Sequence, residues 1–261
     1  MTLNVKRKTV QLILTPLRNT LEQALVDELI ESNPFDSIRL NKILARDQLQ
    51  SDFEADPFDV DEIEAILGAC DREQEHNAFK FAFCTGMRPS EYIAHEWPNI
   101  NFVMHNLKVS SAFVDGKTKM SAKTKAGLRT IDLRQGAFDA LKAQQVHTKT
   151  AGHLVFLNPG TGQQWAGDKP IRERWGRILL LAGVRYRNPY QTRHTYASNL
   201  LMLGANPLYV ATQLGHVDTT LVFKTYGRWI AAGLDQDKRQ RLLRLYSRTH
   251  SAGLQEFPNF G

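Results

Sequence analysis

YQTRHTYASNLLMLGANPLYVATQLGH, residues 190–216, decides how this chain folds. Its pattern predicts two helices, near 192–203 and 207–214. Gly215 closes the second, because a residue without a Cβ suits the left-handed turn that ends helices. Arg193 stands at the start of the first helix, where its fork of N–H donors suits a phosphate. His216 follows the helix-ending glycine, and by itself it reads as a helix-end cap.

Downstream, a further helical stretch near 219–231 carries Tyr226 within Lys224-Thr225-Tyr226-Gly227. Beyond it, Ile230, Leu234, Leu242, Leu243, Leu245 and Tyr246 alternate with Lys238, Arg239, Arg241 and Arg244. That pattern suits a short amphipathic helix with a basic outer face. Upstream, helices are expected near 170–182 and 135–146, with a short strand at 154–157. Two β-type segments, 107–114 and 128–133, flank a polar connection with Gly116, Gly127 and the lysines Lys117, Lys119, Lys123 and Lys125. This reads as a hairpin with a long basic connection. Before it, Asp59-x-x-Glu62 opens a helix as a capping box does. A second helix, about 74–85, meets Gly86, and a third covers 90–97 up to Pro98.

Val10, Ile13, Leu14, Leu17, Leu21, Leu25 and Leu29 recur at three- and four-residue steps, which predicts one long amphipathic helix over 7–30. Asn33-Pro34 ends it, and residues 35–57 read as a linker. A solitary helix cannot bury its own apolar stripe. It either docks on the domain after the linker or belongs to a helical domain whose start is missing. The fold class is mostly α with a small antiparallel β-sheet, an α+β catalytic unit over 55–234 followed by a tail.

Of the 261 residues, 42% are hydrophobic and 23% charged, which excludes a disordered or collagen-like chain. No apolar run approaches the roughly 18 residues of a membrane span. The N-terminus has polar residues at helical spacing and does not read as a signal peptide; a cytoplasmic protein is expected. Cys70 and Cys84 sit among apolar residues as reduced thiols, without the His partners of a metal site. The net charge is +6, unevenly spread. Residues 51–75 hold ten acids against one base, whereas 168–193 and 224–248 hold seven bases each. A basic second half attracts phosphates and raises encounter rates with nucleic acid.

Phosphoryl transfer needs donors around the non-bridging oxygens, an in-line nucleophile and an acid for the leaving oxygen. The chain has no convincing carboxylate cluster for Mg²⁺, since the acids at 52–64 read as a solvated face. A metal-free site would need arginines, and Arg88 and Arg193 both sit at helix junctions. No cofactor is expected. Tyr226 needs help as a nucleophile, because an unperturbed phenol, with a pKa near 10, stays protonated at neutral pH.

Together these segments resemble the tyrosine recombinases, the phage integrase family. TGMRPSEYIAHEW (85–97) is similar to the motif in which an arginine precedes an acid by three positions, here Arg88 and Glu91. SAKTKAGLRTIDL (121–133) resembles the hairpin of the family's lysine. Residues 190–216 resemble the stretch with the second arginine and Leu-Gly-His, and LVFKTYGRW (221–229) the segment of the nucleophile. The resemblance covers about 55–231.

It implies that Tyr226 attacks the scissile phosphate and forms a 3′-phosphotyrosine, while Arg88 and Arg193 clamp the non-bridging oxygens. Lys123 would protonate the leaving 5′-oxygen, with Lys125 the alternative. His216 would hydrogen-bond the phosphate or assist Tyr226, and Glu91 would orient the helix behind Arg88. Tyr190 stands where the family usually has histidine; a phenol donates a hydrogen bond but does not shuttle protons near neutral pH.

The implied activity is site-specific recombination, integrating or excising a mobile element. The implied partners are double-stranded attachment-site DNA, a homo-tetramer on DNA that is largely monomeric without it, and accessory DNA-bending or directionality proteins. Residues 1–54 resemble the last helix of a core-binding domain and its exit, so the chain looks shortened. Residues 235–261 would dock on their own domain or in trans. The competing readings are a non-catalytic DNA-binding module and a type IB-like nicking–closing topoisomerase.

Overall fold

A computed structural model describes residues 7–38, 55–114, 116–120, 128–216, 218–230 and 232–247. The chain forms two compact units, Met1–Glu54 and Ala55–Gly261. In the first, α1 (Arg7–Val26) includes Pro16, and a short 3-10 turn follows at Pro34–Ser37, capped by the Asn33 side chain. Leu12, Ile13, Leu17 and Leu25 on α1 are exposed.

The second unit opens on α2 (Val60–Gly68) and α3 (Glu73–Thr85). Asp59 caps α2 through the reciprocal box read in the sequence: Glu62 N–H donates to its carboxylate at 2.8 Å, and its own N–H donates back to Glu62 at 3.0 Å. The stretch expected to be a linker ends earlier than residue 57. Ala55 and Phe58 are buried, and α7 (Gln191–Met202) holds this strip through its side chains. Gln191 accepts from Asp56 N–H, and Thr195 accepts from Phe58 N–H. Phe58, Phe79 and Phe83 surround the Trp175 indole with ring centroids 4.9–6.0 Å apart.

The helix expected over 90–97 is one turn, α4 (Pro89–Tyr92). The chain leaves the helix because its backbone pairs elsewhere. Trp97 N–H donates to His153 O, Val155 N–H donates to His95 O, and Glu96 bridges Leu154. The strand expected at 154–157 is correspondingly reduced to that bridge and β6 (Leu157–Asn158), paired with β7 (Gln163–Gln164).

The segment 107–114 is two strands rather than one. β1 (Ile100–Asn101), β2 (Asn106–Val109) and β5 (Arg129–Asp132) form an antiparallel sheet that aligns Leu107 with Ile131. β3 (Ser111–Val114) instead pairs with β4 (Lys117–Met120), so part of the basic connection is itself a strand. The β2 and β5 side chains alternate between buried and exposed, as one-sided strands do.

Helices α5 (Gln135–Thr148), α6 (Asp168–Leu181), α7, α8 (Pro207–Leu214), α9 (Thr220–Ile230) and α10 (Gln236–Tyr246) complete the unit. Residues 191–201 of α7 are all buried, which makes it the central helix. Tyr246 on α10 reaches the core; its hydroxyl donates to Phe83 O at 3.1 Å, and Leu242 and Leu243 are buried beside it. The described part of the tail therefore lies on its own unit, and 248–261 fall outside the described residues.

Gly86 turns the chain from α3 towards Arg88 at φ 61°, and a Cβ there would stand 2.6 Å from Tyr196 Cδ1. Gly86→Ala is expected to lower unfolding free energy by about 3 kcal/mol, combining left-handed strain with overpacking. Denaturant unfolding measures it; an unchanged midpoint would show that Tyr196 moves aside freely.

Candidate active site

Four chain segments meet around Arg193. At the start of the buried α7, its side chain is 1% exposed. It donates to Gly86 O at 2.8 Å and to Leu214 O at 2.5 Å. Both acceptors are freed where helices end in left-handed glycines, Gly86 after α3 and Gly215 after α8. Arg193 thus pins together the loops that carry Arg88 and His216. Burial and the charge of Arg88 lower its pKa to about 10, so it remains a cation at neutral pH.

Arg88 caps α4 and is about one-third exposed. Its Nη1 donates to Glu91 Oε1 at 2.7 Å, and Glu91 also accepts the Arg88 backbone N–H at 2.8 Å. The same carboxylate takes a two-pronged contact from buried Arg129, at 3.0 and 2.7 Å. Burial alone would raise the Glu91 pKa. The Arg129 hydrogen bonds and charge, with Arg88, overcome that and hold it at about 2. Arg129 Nε donates to Gln213 O at 2.9 Å, while the Gln213 side chain accepts Asp132 N–H at 2.8 Å. The sheet, α4 and the end of α8 are thereby joined behind the site.

Arg129 was not singled out from the sequence. It stood in the quoted hairpin segment, and only the fold shows that its alternate face points inward. Tyr190, at the N-terminus of α7, lies next to Arg88 and supports that guanidinium's charged form by a hydrogen bond. His216 presents a buried Nε2 without a hydrogen-bond partner among the described residues. Burial, and then Arg193, Arg88 and Arg129, depress its pKa to about 4, so the ring is neutral.

Tyr226 projects from α9 into the same space and is 1% exposed. Burial raises its pKa above the ordinary phenol value, against the pull of Arg193. Its hydroxyl lies 2.7 Å from His194 Nδ1. His194 follows Arg193 directly, and no role was assigned to it from the sequence. The available signal was its spacing: it stands one helical turn after Tyr190, on the same face. The structure thus brings together Arg88, Glu91, Tyr190, Arg193, His216 and Tyr226, and adds His194 and Arg129. Lys123 and Lys125 lie outside the described residues. No group of three or more His, Cys, Asp or Glu positioned to hold a metal occurs among the described residues.

The remaining charges differ from the simple picture of a solvated acidic face and a free basic one. Arg187 pairs with Asp56 at 3.1 Å and Glu62 at 2.8 Å. Arg185 pairs with Asp56 at 2.5 Å, Arg241 with Asp61 at 2.6 Å and Glu64 at 2.5 Å, and Arg174 with Glu75 at 2.6 Å and with Asp71. Several arginines counted as phosphate contacts are thus committed within the protein. Arg172 and Arg177 are exposed.

Residues 57–229 match the phage integrase family. The chain belongs to this family. It is 31% identical over 258 residues to prophage integrase IntR of Escherichia coli (strain K12), covering 87% of this chain and 59% of that protein. The chain thus spans less than two thirds of that relative's length. Among solved structures it resembles the Tn1549 transposon integrase in complex with a circular intermediate DNA, with a TM-score of 0.71 and 19% identity, covering 91% of this chain and 78% of that one. It also resembles a lambda integrase tetramer bound to a Holliday junction, with a TM-score of 0.60 and 16% identity, covering 82% and 60%. Both share the mostly helical fold with small antiparallel sheets. Among the described residues, no helix is long and apolar enough to cross a membrane.

Proposed function

We propose that the Ala55–Gly261 unit cleaves and rejoins double-stranded DNA at specific sites through a 3′-phosphotyrosine at Tyr226, for integration or excision of a mobile element. The observation that carries this reading is a buried tyrosine, Tyr226, in the field of a buried arginine, Arg193, which also stands beside the neutral His216 and Arg88. Such a space suits a phosphate: the arginines Arg193 and Arg88 neutralise the non-bridging oxygens, and His216 donates to one of them. Tyr190 supplies a further donor beside Arg88. Lys123, or Lys125, protonates the 5′-oxygen. Glu91 and Arg129 hold Arg88 in place without touching substrate.

In this reading the protein is largely monomeric without DNA and acts as a tetramer on two duplexes; a tetramer, bound to a Holliday junction, is the assembly named for the lambda integrase neighbour. Accessory DNA-bending proteins and a cytoplasmic setting belong to the same reading. Residues 1–54 would be the end of a core-binding domain, and the tail beyond 247 the segment available for contact with a second protomer.

The test is a nicked suicide duplex carrying the site recovered by selection from random-sequence DNA. A covalent adduct at the 3′-phosphate supports the recombinase. Binding without an adduct would make the chain a DNA-binding module, and relaxation of supercoiled DNA without site preference a topoisomerase. The charge in the site comes from side chains, so adduct formation is expected to persist in excess EDTA. Strict Mg²⁺ dependence would show that a metal supplies part of that charge.

A further inference from the structure

Beside the nucleophile stands a base that the phosphate-binding groups do not use. His194 lies in the first turn of the buried α7, with its own side chain almost fully enclosed. Its Nδ1 is 2.7 Å from the Tyr226 hydroxyl. The two rings are tilted by 44° with centroids 5.5 Å apart, and the Tyr190 ring lies 5.3 Å from the His194 ring. The contact joins the central helix to the helix of the nucleophile. It is set by packing around both rings, as Tyr226 also meets the Trp229 ring at 6.0 Å.

We propose that His194 is the proton acceptor for Tyr226. This rests on the recombinase reading of the site. As the phenol oxygen bonds to phosphorus, its O–H bond breaks and the proton passes to Nδ1. The P–O5′ bond breaks at the same centre, and the leaving oxygen takes its proton from the lysine acid. In the reverse step the 5′-hydroxyl attacks and gives its proton back to the lysine, the phosphorus–tyrosine oxygen bond breaks, and His194 returns its proton to the departing Tyr226 oxygen. No oxidant, metal or further reactant is needed.

Three features support the assignment. Burial, and then the charge of Arg193 and the nearby His216 ring, depress the His194 pKa to about 4, so the imidazole is neutral and its Nδ1 accepts from Tyr226 in the Nε2–H form. The phenol is driven the opposite way, to the protonated side, so the proton to be removed is present. Tyr190, which stands where the family's usual histidine would be, cannot act as a base near neutral pH. The imidazole one turn further on occupies the position from which an acceptor reaches the nucleophile itself.

His194→Asn keeps an acceptor atom near the Nδ1 position and cannot take a proton. On the suicide duplex it is expected to lower single-turnover cleavage about 100-fold, with DNA affinity unchanged. Two further arms separate chemistry from packing. A multiply fluorinated tyrosine at 226, far more acidic than tyrosine, is expected to restore most of the lost rate in His194→Asn, because it gives up its proton without needing the imidazole. A substrate with sulfur at the 5′-bridging position, which needs no acid, is expected to leave the His194→Asn defect in place while relieving that of Lys123→Ala. A His194→Asn rate equal to or above wild type overturns the proposal, as does failure of the fluorinated tyrosine to rescue. So does relief by the bridging sulfur, which would assign His194 to the leaving group. If wild-type protein forms no adduct on the selected site, the recombinase reading fails and this proposal falls with it.

Discussion

Tyr226→Phe is expected to reduce the covalent protein–DNA adduct to background while duplex binding stays near wild type. The change removes one oxygen and keeps the ring that packs against His194 and Trp229. Its structural cost is the lost hydrogen bond to His194 Nδ1, about 1 to 2 kcal/mol for an acceptor left unpaired in the interior. That is too little to unfold a unit of this size. An adduct resolved by denaturing electrophoresis, together with a mobility shift, reads both halves. An adduct that survives in Tyr226→Phe would place the nucleophile elsewhere.

Glu91→Ala is expected to cost about 3 to 5 kcal/mol of stability, the range for removing one partner of a buried ion pair. Arg129 loses both carboxylate contacts and, among the described residues, keeps Gln213 O, inside a region closed to water. Cleavage should fall as well, because Arg88 loses the group that orients it. Acid pH should mimic the substitution. The folded carboxyl is held at about 2, below its ordinary 4.5. Its contribution is therefore complete above pH 4.5 and disappears as pH falls towards 2. The depression corresponds to about 3 kcal/mol. Urea unfolding at pH 7 and pH 3 measures both effects. In Glu91→Ala, stability should depend less on pH across that interval. Equal pH dependence in the two proteins would refute the role of Glu91.

Much of this architecture was legible because its signals are local. The Asp59 capping box and the glycines that end α3 and α8 are each written in a few adjacent residues. The spacing of Arg88, Arg193, His216 and Tyr226 was legible too, as an ordered pattern. What escaped were features decided across the fold. Residues 95–97 read as helix because their own sequence permits one, yet they pair with 153–155. Lys117–Met120 reads as a polar loop, since every side chain on it is exposed; only its ladder to Ser111–Val114 makes it a strand. His194 and Arg129 were hidden for the same reason. Each is one position in a segment noted for a neighbour, and each acquires its partner from a helix or strand distant in sequence.

The clasp between the start and the end of the larger unit has a consequence for its biosynthesis. Asp61 and Glu64 meet Arg241 across 180 and 177 residues, and the Tyr246 hydroxyl reaches Phe83 across 163. On the ribosome, α2 and α3 emerge long before these partners exist. The apolar faces of these early helices are covered in part by α6 around Trp175, and the remaining contacts close only when α10 is free. A topology with so many distant pairings folds slowly, and its nascent form is a natural client for chaperones. Protein released short of Tyr246 would lack this closure and leave uncovered the core surface that Leu242, Leu243 and Tyr246 bury.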